Sequence, residues 1–316
     1  MVIYQDKKGA GTVAKHLFTP SVYYHAIGSH PPVLLIKPGD SVTTATLDAS
    51  GCDHTGRRVA PHGNPQTGPF YIDGAEPGDV LVVRFDDLRP NRSWGYSGCT
   101  IAANVVEPDH VYTIKRREDD DRSYWHIDLY NHSIILDRPK ISIDPFVIPM
   151  EPMLGCSGVA PDRGQAISTA TSGRHGGNMD YRGIVAGVTV YIPVFVEGAL
   201  FHLGDGHAAQ ADGEILGRGI EVSMDVTFTV DVIKKGSAQW PRGENAHEIF
   251  TLGNARPLDQ ALRHATTEML RWLQTDYGLD ASSVHMLLGQ FVRYEIGNVF
   301  DPAYTMVCKL PKEVLP

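Results

Sequence analysis

Between Phe201 and Glu214 the chain reads FHLGDGHAAQADGE, which gathers His202, Asp205, His207, Asp212 and Glu214 into one short stretch. Gly204, Gly206, Ala208, Ala209, Ala211 and Gly213 fill most of the gaps. Glycine gives a strand nothing to pack and adds an entropic cost, so a purely structural strand would carry valines here. Asp205 and His207 are two apart, as are Asp212 and Glu214, and on extended backbone each pair points to one face. A carboxylate and an imidazole on one face, with small neighbours that let a ligand approach, suit a divalent metal or an acid–base pair. A glycine-rich loop with solvated charges accounts for the same residue types equally well.

The elements that must position this stretch read as strands first and helices last. Two turns, Lys37-Pro38-Gly39-Asp40 and Glu76-Pro77-Gly78-Asp79, each put proline at the first corner and glycine where a type II turn needs positive φ. They feed the β-branched runs Ser41–Leu47 and Val80–Phe85. A short strand is expected at Phe70–Ile72, residues 86–125 read as polar loop, and Lys115–Arg122 as a solvated hairpin tip. Tyr124–Leu129, Ser133–Leu136 and Ile184–Val190 read as further strands. Glu221–Ile233 alternates over its whole length and is the clearest strand. After Pro257, apolar residues recur three and four apart from Leu258 to Leu273. Gly278 fits a helix stop and Asp280 the cap of a second helix. Phe291–Phe300 reads as a final strand. The order predicts a mainly β sandwich or barrel over 1–256 and an α+β C-terminal part over 257–316.

Composition is that of an ordinary globular protein, with 42% apolar and 21% charged residues over 316 positions. A net charge of −9 argues against nucleic acid or an anionic membrane as partner. No apolar run is long enough to span a bilayer. Cys52, Cys99, Cys156 and Cys308 form no CxxC pair, so free thiols in a reducing cytoplasm are expected.

Longer motifs say more. NPQTGPFYIDGAEPGDVLVV, GGNMDYRGIVAGVTVYIPVFVEGALFHLGDGHAAQADGEI, SVHMLL and GNVFDPAYTMVCKLPK resemble the acetamidase/formamidase family over roughly Pro32 to Pro311. The resemblance implies hydrolysis of small linear amides to ammonia and a carboxylate, a jelly-roll-type β fold, a metal-dependent site and a homodimer. Asp205, His207, Asp212 and Glu214 match its GDGHAAQxDGE motif. Asp48 matches the acidic residue ending the strand after the first P-G-D turn, and His175, Gly176, Gly177, Asn178 and Asp180 match its HGGN-type loop. Asp73, His202 and Arg293 depart from the pattern, and Arg293 leaves the C-terminal contribution to the pocket open.

On that resemblance Asp48, Asp205 and His207 are the expected ligands of a zinc-like ion that acidifies a bound water, although an acid-rich set also suits calcium. Glu214 or Asp212 would move the proton, with His175 beside them, and Asn178 or the Gly176 and Gly177 amides would hold the oxyanion. Asp180 and Glu221 have a plain alternative as partners of Arg182 or Arg218. Two rivals remain: a thiol amidase using Cys156, and a non-catalytic jelly-roll module binding a metal or small ligand.

Overall fold

The computed structural model describes residues 13–114 and 120–316. Most of the Lys115–Arg122 hairpin tip therefore lies outside the described residues, as does the start of the N-terminal arm.

Both P-G-D turns form, with the same bonds. The Asp40 amide donates to Lys37 O at 2.9 Å and the Lys37 amide to Asp40 Oδ2 at 3.0 Å. In the second turn the corresponding Asp79 and Glu76 bonds are 3.0 and 2.8 Å. Gly39 and Gly78 both have φ of +92°, which is why glycine stands there. The turns start Ser41–Ala45 and Val80–Pro90, which flank Met224–Ile233 in a nine-stranded sheet.

The second large sheet holds Gly176–Asn178, Met153–Val159, Phe201–His207 and Gln66–Ile72 side by side. Phe70 and Phe201 from this sheet pack edge-on against Phe228 of the first, with ring centroids 5.2 and 5.5 Å away. The two sheets thus form a sandwich around one apolar core. A four-stranded sheet, Trp94–Gly98 with Arg122–Asp128, Ser133–Arg138 and Val147–Pro149, lies to one side.

Helix Leu258–Thr275 buries Ala261, Ala265, Met269, Trp272 and Leu273. Pro257 is its cap rather than its first residue. Asp280 caps Ala281–Phe291 by accepting from the Ser283 amide.

Three expectations need correction. Residues 86–125 are not loop throughout, because Val80 continues to Pro90 and Trp94–Gly98 is a strand. Residues 184–188 are not a strand: Val185 makes one bridge to Met153, 186–187 form a turn with Gly187 at φ +88°, and the strand is Thr189–Pro193. Arg293–Asn298 is not the last strand, since Tyr304–Pro311 follows and sits between it and Glu248–Ala255.

Candidate active site

The Phe201–His207 strand is buried along its whole length. Gly155 of the adjacent strand lets acidic groups approach the sheet. A Cβ built on Gly155 would lie 2.3 Å from Asp180 Oδ1 and 2.6 Å from Asp205 Oδ2. Asp180, Asp205 and Glu214 all have left-handed backbone, with φ of 43°, 61° and 47°. Each such residue costs roughly 1–3 kcal/mol and persists only where its surroundings fix it.

Among the described residues, three overlapping groups have ligand atoms within 4.8 Å of one another: Asp180 with Asp205 and His207, His207 with Glu214 and Glu221, and Asp180 with Glu214 and Asp301. All six side chains are buried. His207 is the hinge of the arrangement. Gln210 Nε2 donates to the carbonyls of Asp180 and Gly297 at 2.6 and 3.4 Å, which turns its Oε1 toward His207 Nδ1 at 2.8 Å. An amide oxygen only accepts, so Nδ1 carries the hydrogen. Nε2 then faces Glu221 Oε1 at 3.3 Å and Asp205 Oδ1 at 3.5 Å without an aligned hydrogen bond.

Two asparagines hold the other carboxylates. Asn178 Nδ2 donates to Asp180 Oδ2 and Asp301 Oδ2, both at 2.7 Å. Asn298 Nδ2 donates to Glu214 Oε2 at 2.7 Å and to Asp180 Oδ2 at 3.0 Å. The Gly219 amide donates to Glu214 Oε1 at 2.8 Å.

So many buried carboxylates cannot all be ionised without a counter-charge. Burial raises Asp180 and Glu214 well above the usual carboxyl range, with neighbouring carboxylates adding to it. Burial also raises Glu221, and pushes Asp301 up to about 6. For His207 burial acts downward, but Glu221 and Asp205 overcome it and hold the imidazole well above its ordinary value. The cluster is built to hold protons or a cation. One imidazole nitrogen among carboxylate oxygens, with Nε2 and Glu221 Oε2 both lacking a partner, fits a divalent metal.

The structure brings together Asp205, His207 and Glu214 of the expected residues, and gives the rest other work. Asp48 lies outside the three groups: its Oδ2 meets Arg92 at 2.7 Å, and its Oδ1 accepts from the Ser50 and Cys52 amides. Asp212 points outward, 56% exposed and 3.8 Å from Arg182, because residues 208–217 are turn rather than strand and the two-residue rule fails there. Both Asn178 amide hydrogens are committed to carboxylates, so it holds the cluster rather than an oxyanion. His175 is buried outside the cluster, and burial lowers it to about 4. His202 stacks edge-on to His30 and Tyr24 and is lowered by burial to about 3. Asp73 and Arg293 are exposed, and neither belongs to the three groups.

Sequence reasoning missed Gln210, Asn298 and Asp301; the alternative partners for Asp180 and Glu221, Arg182 and Arg218, pair with Glu151 and Asp121 instead. The GNVFD motif, which carries Asn298 and Asp301, held the signal.

A cavity of about 290 Å³ adjoins the cluster, with Glu214, Gln210 and Gly219 in its lining. A second one, of about 570 Å³ and lined by Tyr191, Arg242 and Trp272, contains no residue of the cluster.

The chain is similar to proteins of known name. The chain is 29% identical over 239 residues to an acetamidase of Mycolicibacterium smegmatis, covering 61% of this chain and 58% of that protein. It is 27% identical over 257 residues to a formamidase of Methylophilus methylotrophus, covering 65% and 62%. The matched region thus spans little more than half the length of these curated relatives. The crystal structure of an acetamidase from Yersinia enterocolitica superposes with a TM-score of 0.81 at 32% identity, covering 97% of this chain and 94% of that one. The model of the Acetamidase/Formamidase family matches residues 29–164 and 163–315, and the chain belongs to that family.

Proposed function

We propose that the protein hydrolyses the C–N bond of small primary amides, giving ammonia and a carboxylate, and that Asp205, His207 and Glu221 hold a divalent cation, with Asp180 within reach. The observation that carries this reading is His207 Nε2, buried, turned toward two carboxylates and bonded to neither. When bound, the cation supplies the Lewis acidity that brings a water's pKa toward neutrality. Glu214 takes the proton of the attacking water and returns it to the departing nitrogen, a task suited to a carboxyl that burial and its neighbours raise. Asn298 and the Gly219 amide keep both its oxygens oriented, and Asn178 does the same for Asp180 and Asp301.

A thiol route has less support. Cys156 is fully buried, and burial with Asp205, Asp180 and Asp301 nearby raises its thiol well above the ordinary value, the opposite of an activated nucleophile.

The test pairs metal analysis of the purified protein with ammonia release from formamide and acetamide, with and without chelator. Zinc, or another divalent ion such as calcium, and chelator-sensitive turnover are expected. His207→Ala should lose both metal and activity, and a variant keeping both in full refutes the assignment. Bound metal with silence across short amides would favour a binding module. The homodimer and cytoplasmic location belong to the same reading and are checked by light scattering and cell fractionation.

A further inference from the structure

We propose that the preferred substrates are uncharged primary amides whose acyl group is larger than acetyl, seated in the cavity over Glu214. This rests on the amide-hydrolysis reading. Glu214 is the one cluster residue that also lines this cavity, and Gln210 and Gly219 complete that side of it. Gly219 has no side chain to cover the imidazole: a Cβ there would lie 2.4 Å from His207 Nδ1. A ligand in this cavity would therefore sit beside Glu214.

The remaining walls decide what kind of ligand fits. Trp125, Ile148, Pro149, Ile215 and Ile220 make them apolar. The lining charges are neutralised locally: Arg182 pairs with Glu151, and Arg218 with Asp121 at 3.0 Å. Apart from Glu214 itself, the described charged residues of the lining each stand in an ion pair. At roughly 30 Å³ for a water-sized group, a cavity of about 290 Å³ is far larger than formamide or acetamide requires. Filling it with apolar carbon gains free energy with each methylene.

The experiment measures ammonia release from formamide, acetamide, propionamide, butyramide and benzamide, with glycinamide and succinamate as charged controls. kcat/KM should rise roughly fourfold per methylene from acetamide to butyramide and be lower for the charged pair. An optimum at formamide or acetamide, or a preference for a charged amide, overturns the proposal while leaving amide hydrolysis standing. Ile215→Trp, at a partly exposed position, should cut the butyramide-to-acetamide ratio at least about fivefold, and a folded variant with an unchanged ratio also overturns it. If no amide is turned over, the hydrolysis reading fails by itself. Tryptophan fluorescence then judges the cavity. Saturable benzamide quenching that Ile215→Trp abolishes supports it, and no saturation sinks it.

Discussion

Gln210 Oε1 accepts from His207 Nδ1 at 2.8 Å, and two main-chain carbonyls hold the opposite end of the same amide. The imidazole tautomer is therefore set by the backbone rather than by the cluster it serves. A ligand histidine fixed this way binds metal more tightly, and loss of such a partner typically costs 10–100-fold in affinity. Gln210→Leu should weaken metal binding by about that range, measured by competition with a chromophoric chelator. Gln210→Glu, which keeps an acceptor for Nδ1, should recover much of the loss, and equal affinities in both variants would contradict the tautomer argument.

Asp48 and Asp205 should separate cleanly on substitution. Asp48→Ala leaves Arg92 buried without its partner, a change that typically costs about 3–5 kcal/mol, yet the folded fraction should keep its full metal content. Asp205→Asn should lose metal with a smaller effect on stability. Urea unfolding together with elemental analysis distinguishes them, and metal loss in Asp48→Ala alone would reverse the two roles.

Gly155→Ala tests the close approach of carboxylates to the sheet. The added methyl would press on Asp180 and Asp205 together. Overpacking of this kind costs roughly 1–3 kcal/mol, and metal affinity should fall along with stability. Retained affinity in a destabilised variant would mean that neither oxygen is a ligand.

Chelation should destabilise the protein more at high pH than at low pH. Asp180, Glu214, Glu221 and Asp301 have folded pKa values raised above their unfolded ones. Their protonated forms therefore contribute stability that is present below about pH 4 and is lost as pH rises through the folded values, about 6 for Asp301. His207 is raised as well and acts in the same direction. Bound cation replaces those protons. The Tm difference between loaded and chelated protein should widen from pH 5 to pH 8, while other groups cancel in the comparison. A constant difference would show that the cluster is not where the metal binds.

Much of the scaffold was legible because local chemistry and tertiary packing agree there. The two P-G-D turns, the alternation through Met224–Ile233 and the Asp280 cap are such places. Trp94–Gly98 was not legible, because its glycines look like loop. They are needed because a Cβ on Gly95 would meet Glu221 O at 2.8 Å and one on Gly98 would meet Leu216 O at 2.2 Å. Tyr304–Pro311 is almost wholly buried, so it lacks the polar–apolar alternation that marks a strand. At the site, spacing drew attention to Asp205, His207 and Glu214 without deciding between a site and a loop, and the motif resemblance gave them their roles. Asp180, Glu221 and Asp301 come from other segments, and only the folded topology brings them to His207.

The left-handed residues Asp180, Asp205 and Glu214 have a consequence for biogenesis. Their left-handed backbone, and the raised carboxyls of Asp180 and Glu214, are features of the chain itself, so the nascent protein can close around hydrogen ions. If the cluster takes up the cation proposed for it, maturation becomes a step separate from folding, in which uptake expels those protons to the surroundings.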